Sequence, residues 1–327
     1  MINNKRFLVV GGAGYIGSHV ARNLSEDPSD ILILDNFSTG HKEFVKGYDF
    51  IECDLQDLKL LRSSLEQYSF ESVFHLAAKS IVQESGRFPV RYIENNLIGS
   101  LNLIQVCKEL QIPRFIFSST AAVYEPSSKP LLETCNINPK NNYGFTKLCI
   151  EKILENEAGH DFNVGILRYF NVAGASQSGE IGELHDPETH LIPNILKAII
   201  NDEMLEVYGN DYNTPDKTCI RDYVHVEDIA KGHRLLNSYL RESKSSYNIF
   251  NLGSNSGYSI LEVIERCSEI ADSKINYVFK ERRSGDPDIL LASNLKAKDE
   301  LQWLPEHSLD QIILSAMNFH NINGFKL

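Results

Sequence analysis

Residues 9–17, VVGGAGYIG, restrict the fold more than any other stretch of the chain. They follow the apolar run RFLVV and open into a helical pattern. A buried strand that turns through glycines straight into a helix is a phosphate-cradling turn. The spacing satisfies both Gly12-x-Gly14-x-x-Gly17 and Gly11-x-x-Gly14-x-x-Gly17. Glycines there close the turn, let backbone approach a pyrophosphate and pack helix on strand. A diphosphate then rests on free N–H groups at the positive end of the helix. No Gly-Lys-Ser/Thr follows, which excludes a P-loop.

Further apolar runs repeat the pattern: 30–35, 49–54, 72–78, 114–119 and 163–171, with helical stretches at 58–67, 95–110 and 144–158 between them. Strands apolar on both faces and alternating with helices predict a parallel sheet covered on both sides. The expected class is α/β, with a Rossmann-type doubly wound parallel sheet. Asp35 ends the second run, 18 residues past Gly17. There it would accept bonds from ribose hydroxyls, and its charge would repel a 2′-phosphate, which favours NAD over NADP. Asp54 and the Ala77–Ala78 pair end the next two runs, at the crevice edge. Asp54 reads either as a cap on adenine or as a helix N-cap; the alanines leave room for a cofactor.

Beyond about residue 171 the rhythm weakens. A polar, Gly-rich loop (174–190) precedes helical segments at 191–200 and 259–271 and a strand-to-helix segment at 218–236. The predicted division is 1–171 for the dinucleotide domain, with a return segment near 218–236, and 172–327 for a smaller mixed α/β substrate domain.

Composition narrows the partners. The 327 residues carry a formal charge of −12, which disfavours nucleic acid and anionic membranes. The N-terminal apolar run is too short for a signal peptide or a span. Six scattered cysteines without a C-x-x-C pair read as reduced thiols of a cytoplasmic protein. No metal-ligand spacing stands out, and His185 and His190 read as loop histidines.

NNYGFTK (141–147) sets Tyr143 and Lys147 one helical turn apart. With 14 tyrosines in the chain, about one Tyr-x-x-x-Lys arises by chance, so position must decide. The fifth apolar run ends at Ser118, Ser119 and Thr120, on the crevice edge, and the pair follows 23 residues later. A lysine ammonium and a nicotinamide cation would lower the tyrosine pKa and make a base for a sugar hydroxyl, with Thr120 holding that hydroxyl.

GGAGYIGSH, LDN, HLAA, SST, YGFTK, LRYFNVAGA, HLIP, IRDYVHVEDIA and RRSGDP occur in the order found in extended short-chain dehydrogenases/reductases. The set most resembles the UDP-glucose 4-epimerases, across nearly the whole chain. The resemblance implies Tyr143 as catalytic base, Lys147 as its partner on the nicotinamide ribose and Thr120 as the hydroxyl. It implies Gly11, Gly14, Tyr15, Ile16, Gly17, Asp35, Asn36, Asp54, Leu55, Asn96 and Phe170 at the cofactor, with Ala77 and Ala78 beside them. Asn171, His190, Leu191, Tyr208, Arg221, Arg283 and Asp286 match nucleotide-sugar positions. Arg221 and Arg283 are the planar donors a diphosphate suits, and Tyr208 can stack on uracil.

Three residues depart from the family pattern: Glu125 and Gln83 stand in place of glycines, and Leu290 lies where a tyrosine or a small residue governs entry of an N-acetyl group. The implied reaction is epimerisation of a UDP-hexose at carbon 4 with tightly held NAD, in a homodimer packed through 95–110 and 141–156. Rival readings are an epimerase of another UDP-sugar, a nucleotide-sugar 4,6-dehydratase or decarboxylase, and a non-catalytic NAD-sensing scaffold. Dehydratases carry an acidic pair after the threonine, and this chain has Ala121 and Ala122.

Overall fold

The computed structural model describes residues 6–283 and 285–324, so Ser284 of the RRSGDP motif lies outside the described residues. The first half alternates as the sequence predicts. Its strands are β1 (Arg6–Val10), β2 (Ile31–Asp35), β3 (Asp49–Glu52), β4 (Phe70–His75), β5 (Arg114–Thr120) and β6 (Asn163–Tyr169). Its helices are α1 (Tyr15–Leu24), α2 (Leu58–Leu65), α3 (Val82–Arg87), α4 (Pro89–Tyr92), α5 (Gly99–Glu109) and α6 (Asn142–Glu157). The second half adds β7 (Asn171–Ala173), α7 (Leu191–Asn201), β8 (Leu205–Tyr208), β9 (Ile220–Arg221), β10 (Tyr223–His225), α8 (Val226–Glu242) and β11 (Tyr247–Leu252). It closes with β12 (Tyr258–Ser259), α9 (Ile260–Ala271), β13 (Tyr277–Lys280), β14 (Ile289–Leu290), α10 (Leu295–Leu301) and α11 (Leu309–Asn323).

Seven strands form one sheet in the order β11-β6-β5-β4-β1-β2-β3. Every neighbouring pair in it is parallel. Side chains alternate between its two faces. Leu8, Val10, Leu32 and Leu34 pack with Leu61, Leu103 and Ile150 of α2, α5 and α6. Val9, Ile31 and Ile33 pack with Val20, Leu236 and Leu240 of α1 and α8. The sheet is therefore doubly wound. Strand order reverses between β1 and β4, which opens a crevice at their carboxyl ends.

The seventh strand lies well past residue 171. Helix α8 and β11 return to the large sheet, so the return segment runs further than 218–236 and includes Tyr247–Leu252. The remaining strands form three small sheets: β7 with β10, β8 with β13, and β12-β9-β14. Helices α7, α9 and α11 cover them around Ile195, Val263 and Ile313.

The stretch 95–110 is not one regular helix. Residues Ile93–Ile98 form a π-helical turn before α5. Such bulges mark places where a side chain is aimed rather than merely packed, and here that side chain is Asn96.

Candidate functional site

The crevice is built around Gly11. Its φ of +81° and its closeness to β4 leave no room for a side chain, since a Cβ would lie 2.5 Å from Ala77 N. At Gly17 a Cβ would lie 2.0 Å from Gly11 O, so that glycine seats α1 on the turn. Gly14 is the open one, with nothing nearer a Cβ than Gly11 O at 3.4 Å. It forms the N-cap of α1 without any side-chain cap, leaving N–H groups facing the crevice mouth. These are the features a bound pyrophosphate needs, and the chain fits a dinucleotide.

Gly11, Gly14, Asp35, Asn36, Asp54, Leu55, Ala77 and Ala78 line this one cleft. Ser38, Thr39, Gly40, Lys79 and Asn95 line it as well, and beyond a turn-forming Thr-Gly no sequence signal marks them. Asp35 is buried and accepts N–H bonds from Ala13 at 2.9 Å and Phe37 at 2.9 Å. Burial raises its pKa, and those backbone donors work against the rise. Asn36 donates to Asp54 at 2.9 Å across the rim. The N-cap reading of Asp54 fails, because α2 is capped by Asp57.

Two residues matched to the cofactor use their side chains elsewhere. Tyr15 donates its hydroxyl to Gly174 O at 2.7 Å, tying α1 to the second half of the chain. Asn96 is fully buried; it accepts from Lys79 N at 2.8 Å and donates to Lys79 O at 3.0 Å and Thr146 Oγ1 at 3.2 Å. It clamps the loop after β4 to α6, and its neighbour Asn95 faces the cleft. Ile16 packs against the core beneath α1.

Helix α6 brings Tyr143 and Lys147 to the end of β5. Asn141 caps it by accepting from Gly144 N at 2.8 Å. Gly144 costs helix propensity but has a reason, since a Cβ there would lie 2.3 Å from Ala122 O. Only glycine lets α6 approach this closely, and so Tyr143 reaches Thr120. The Thr120 hydroxyl lies beside the Tyr143 side chain and works to lower its pKa, while its Oγ1 accepts from Ala122 N at 3.1 Å. Lys147 is buried, donates to Ser118 O at 2.7 Å and lies 4.7 Å from the Phe117 ring centroid.

The electrostatics differ from the sequence expectation. Burial pushes the Tyr143 pKa up to about 12, and the Thr120 hydroxyl only partly opposes this. Burial also lowers Lys147 to about 7, against the pull of Glu151. The lysine spends its bond on Ser118 O rather than on the phenol. The chain's own residues thus keep the Tyr143 phenol protonated, and a nicotinamide cation bound beside it would lower that pKa.

Behind Lys147 lies a buried ion pair that sequence reasoning missed. Glu151 receives Arg168 Nε at 3.0 Å and Arg168 Nη2 at 2.5 Å, and it also accepts from Ser119. Arg168 further donates to the Tyr124 hydroxyl at 2.9 Å. The network joins α6 to β5 and β6 directly beneath the tyrosine–lysine pair.

The residues matched to the nucleotide sugar lie in the second half, outside the lining of that cleft. Leu290 pairs with Arg221 across β14 and β9 and packs on a cluster containing Phe170, Val123 and Tyr124. Asn171 donates its N–H to Asp222 O at 3.0 Å. Arg221 is buried and donates to Asp286 at 2.6 Å and Pro287 O at 2.8 Å, so these two matched residues neutralise each other. Arg283 lies 4.3 Å over the Tyr208 ring, and its buried Nε has no hydrogen-bond partner among the described residues. That leaves Arg283 as the donor with capacity to spare. Arg282, unnoticed in the sequence, lies 3.9 Å over the Tyr212 ring. His190 caps the start of α7 ahead of Leu191 and meets Glu183 at 2.8 Å.

The chain is similar to known proteins over nearly its whole length. The NAD dependent epimerase/dehydratase family model matches residues 7–253. A UDP-glucose 4-epimerase of Lactobacillus helveticus is 43% identical over 323 residues, covering 96% of this chain and 97% of the relative. A crystal structure of a UDP-glucose 4-epimerase superposes with a TM-score of 0.93 at 41% identity, covering 99% of both chains. The Bifidobacterium longum UDP-glucose 4-epimerase, solved with NAD+ and UDP, superposes with a TM-score of 0.93 at 34% identity, covering 99% of this chain and 100% of the other. The chain belongs to the NAD dependent epimerase/dehydratase family.

Proposed function

We propose that the protein is a UDP-glucose 4-epimerase, interconverting UDP-glucose and UDP-galactose through a 4-keto sugar and serving galactose metabolism. The observation that carries this is the Thr120–Tyr143–Lys147 set at the carboxyl edge of the sheet, beside a turn shaped for NAD. Bound NAD would supply a reversible hydride acceptor there. Tyr143 takes the proton of the sugar 4-hydroxyl and returns it, while Thr120 orients that hydroxyl. Lys147, 6.0 Å from the Tyr143 ring centroid, would hold the ribose of bound NAD and add its charge to that of the nicotinamide. Arg283 and Tyr208 anchor the uridine diphosphate beside the Arg221–Asp286 pair, so that the keto sugar can turn over while the nucleotide stays fixed. The acid pair of a dehydratase is missing after Thr120, which favours epimerisation over loss of water.

The domain division at about 171 stands as part of this reading, with α8 and β11 returned to the NAD domain. A homodimer is supported by apolar side chains left exposed on two adjoining helical stretches: Val90, Ile93, Ile98 and Leu101 on one, Phe145 on the other. Six free cysteines fit a reducing compartment, the cytoplasm. Among the described residues no helix is long and apolar enough to cross a membrane.

The test is proton NMR of the anomeric region with purified protein, no added NAD, and UDP-galactose and UDP-N-acetylgalactosamine in one tube. Appearance of UDP-glucose supports the reading. Conversion of the acetamido sugar as well means Leu290 leaves room for it. If neither sugar changes, even after NAD is added, the reading is wrong.

A further inference from the structure

The loop between β7 and α7 folds two histidines and two glutamates onto one point. Their donor atoms all lie within 4.8 Å of one another. His190 Nδ1 lies 2.8 Å from Glu183 and 3.3 Å from Glu188, and His185 Nδ1 lies 3.6 Å and 3.7 Å from the same two carboxylates. Glu183 and Glu188 have almost entirely buried side chains, 4% and 9% exposed.

A proton explains only half of this. His190 can donate one ordinary hydrogen bond to Glu183, and Glu188 Oε1 accepts from Thr189 N at 2.7 Å and His190 N at 2.8 Å, which leaves Glu188 Oε2 and His185 unserved. His185 Nδ1 is buried, too far from either carboxylate for a hydrogen bond, and has no hydrogen-bond partner among the described residues. Two carboxylates and two imidazoles form a neutralising donor set for a divalent ion. Zinc binds such donors at about 2.0–2.1 Å in a tetrahedron, whose edges are then about 3.3 Å. Glu183 Oε1 lies 2.8 and 3.6 Å from the two imidazole nitrogens, either side of that edge, while Glu188 presents Oε1 to His190 at 3.3 Å and Oε2 to His185 at 3.7 Å.

We propose that Glu183, His185, Glu188 and His190 form a zinc site. Four protein ligands close the coordination sphere, so the metal is structural rather than catalytic. It pins the 174–190 segment, and with it the N-terminus of α7, against α1, where His185 meets the Tyr15 ring edge-on at 6.5 Å. Binding displaces any protons on the imidazoles and replaces the His190–Glu183 hydrogen bond with two coordinate bonds.

The test uses untagged, full-length protein, stripped with chelator and reloaded with zinc or with cobalt(II). The expected result is one retained equivalent of zinc per chain after dialysis. Cobalt should give the strong visible bands of a tetrahedral site, without the sulfur charge-transfer absorption that cysteine binding would add. His185→Ala and Glu183→Gln should each abolish the stoichiometric metal while far-UV circular dichroism shows the fold retained. Chelator should lower the melting temperature of the wild type and leave that of His185→Ala unchanged. The proposal is overturned if wild-type protein retains no metal and shows no tetrahedral cobalt spectrum, a result that needs no variant to fold. It is equally overturned if either variant folds and keeps a full equivalent.

Discussion

Replacing Glu151 with glutamine removes one charge and almost no volume. Glu151 is 1% exposed and Arg168 3%, so the change strands a guanidinium charge away from water with only a neutral amide oxygen and the Tyr124 hydroxyl to accept from it. Breaking a buried pair in this way costs about 3–5 kcal/mol. At roughly 2–4 °C per kcal/mol for a large domain, the melting temperature should fall by about 10 °C. Replacing both partners, Glu151→Gln with Arg168→Met, removes the stranded charge, and the coupling recovered in a double-mutant cycle should reach about 2 kcal/mol. Function should respond separately. Lys147 lies one turn from Glu151 and owes part of its charge to that carboxylate. Its pKa should fall further in Glu151→Gln, moving the alkaline limb of the pH–rate profile to lower pH. Denaturant titration of the four proteins and a rate profile from pH 6 to 9 provide the assay. A loss under about 1 kcal/mol, or strictly additive single effects, would refute the view that this pair supports the catalytic helix.

Gly17→Ala would set a Cβ 2.0 Å from Gly11 O; overpacking of this kind costs about 1–3 kcal/mol or more, and the purified variant should lose bound NAD, which absorbance of the denatured supernatant reads directly. Leu290→Ala should raise kcat/KM for UDP-N-acetylgalactosamine relative to UDP-galactose by about tenfold, equivalent to roughly 1.4 kcal/mol, and Leu290→Tyr should lower the ratio; no change in either direction would remove Leu290 from the sugar wall. Burial lowers the pKa of His75 to about 3 and of His233 to about 4, against about 6.5 in the unfolded chain. The unfolded state therefore binds these protons first, so the stability they confer is complete above about pH 6.5 and is lost as pH falls towards 4, by about 1.4 kcal/mol per pH unit for each. Urea midpoints at pH 7 and pH 5 should differ accordingly, and His233→Gln should flatten the slope by one proton.

The strands that carry the crevice were legible because they are short, apolar on both faces and punctuated by glycine, as in residues 6–17. Strand β11 was not: YNIFNL carries two asparagines, and it joins the sheet only after α8 has crossed from the second half. Tyr143 and Lys147 could be read from spacing and order. What holds them could not, because Glu151 and Arg168 lie on different elements and only the fold makes them partners. Asn96 shows the converse. Its position suggested a cofactor contact, but a π-helical turn points its amide into the protein. His185 and His190 read as loop residues, with His190 also at a matched nucleotide-sugar position, and nothing in their spacing shows that Glu183 and Glu188 fold back between them.

The central claim is that Tyr143 moves the proton in a site that holds NAD independently of that step. Its most direct test is Tyr143→Phe, assayed for UDP-galactose conversion and for bound NAD in the same preparation. The phenyl ring keeps the packing and removes only the hydroxyl. The account predicts that turnover falls by about 10²-fold or more, within the range expected of a lost general acid–base, while the NAD content matches wild type. Turnover within a few-fold of wild type would contradict it.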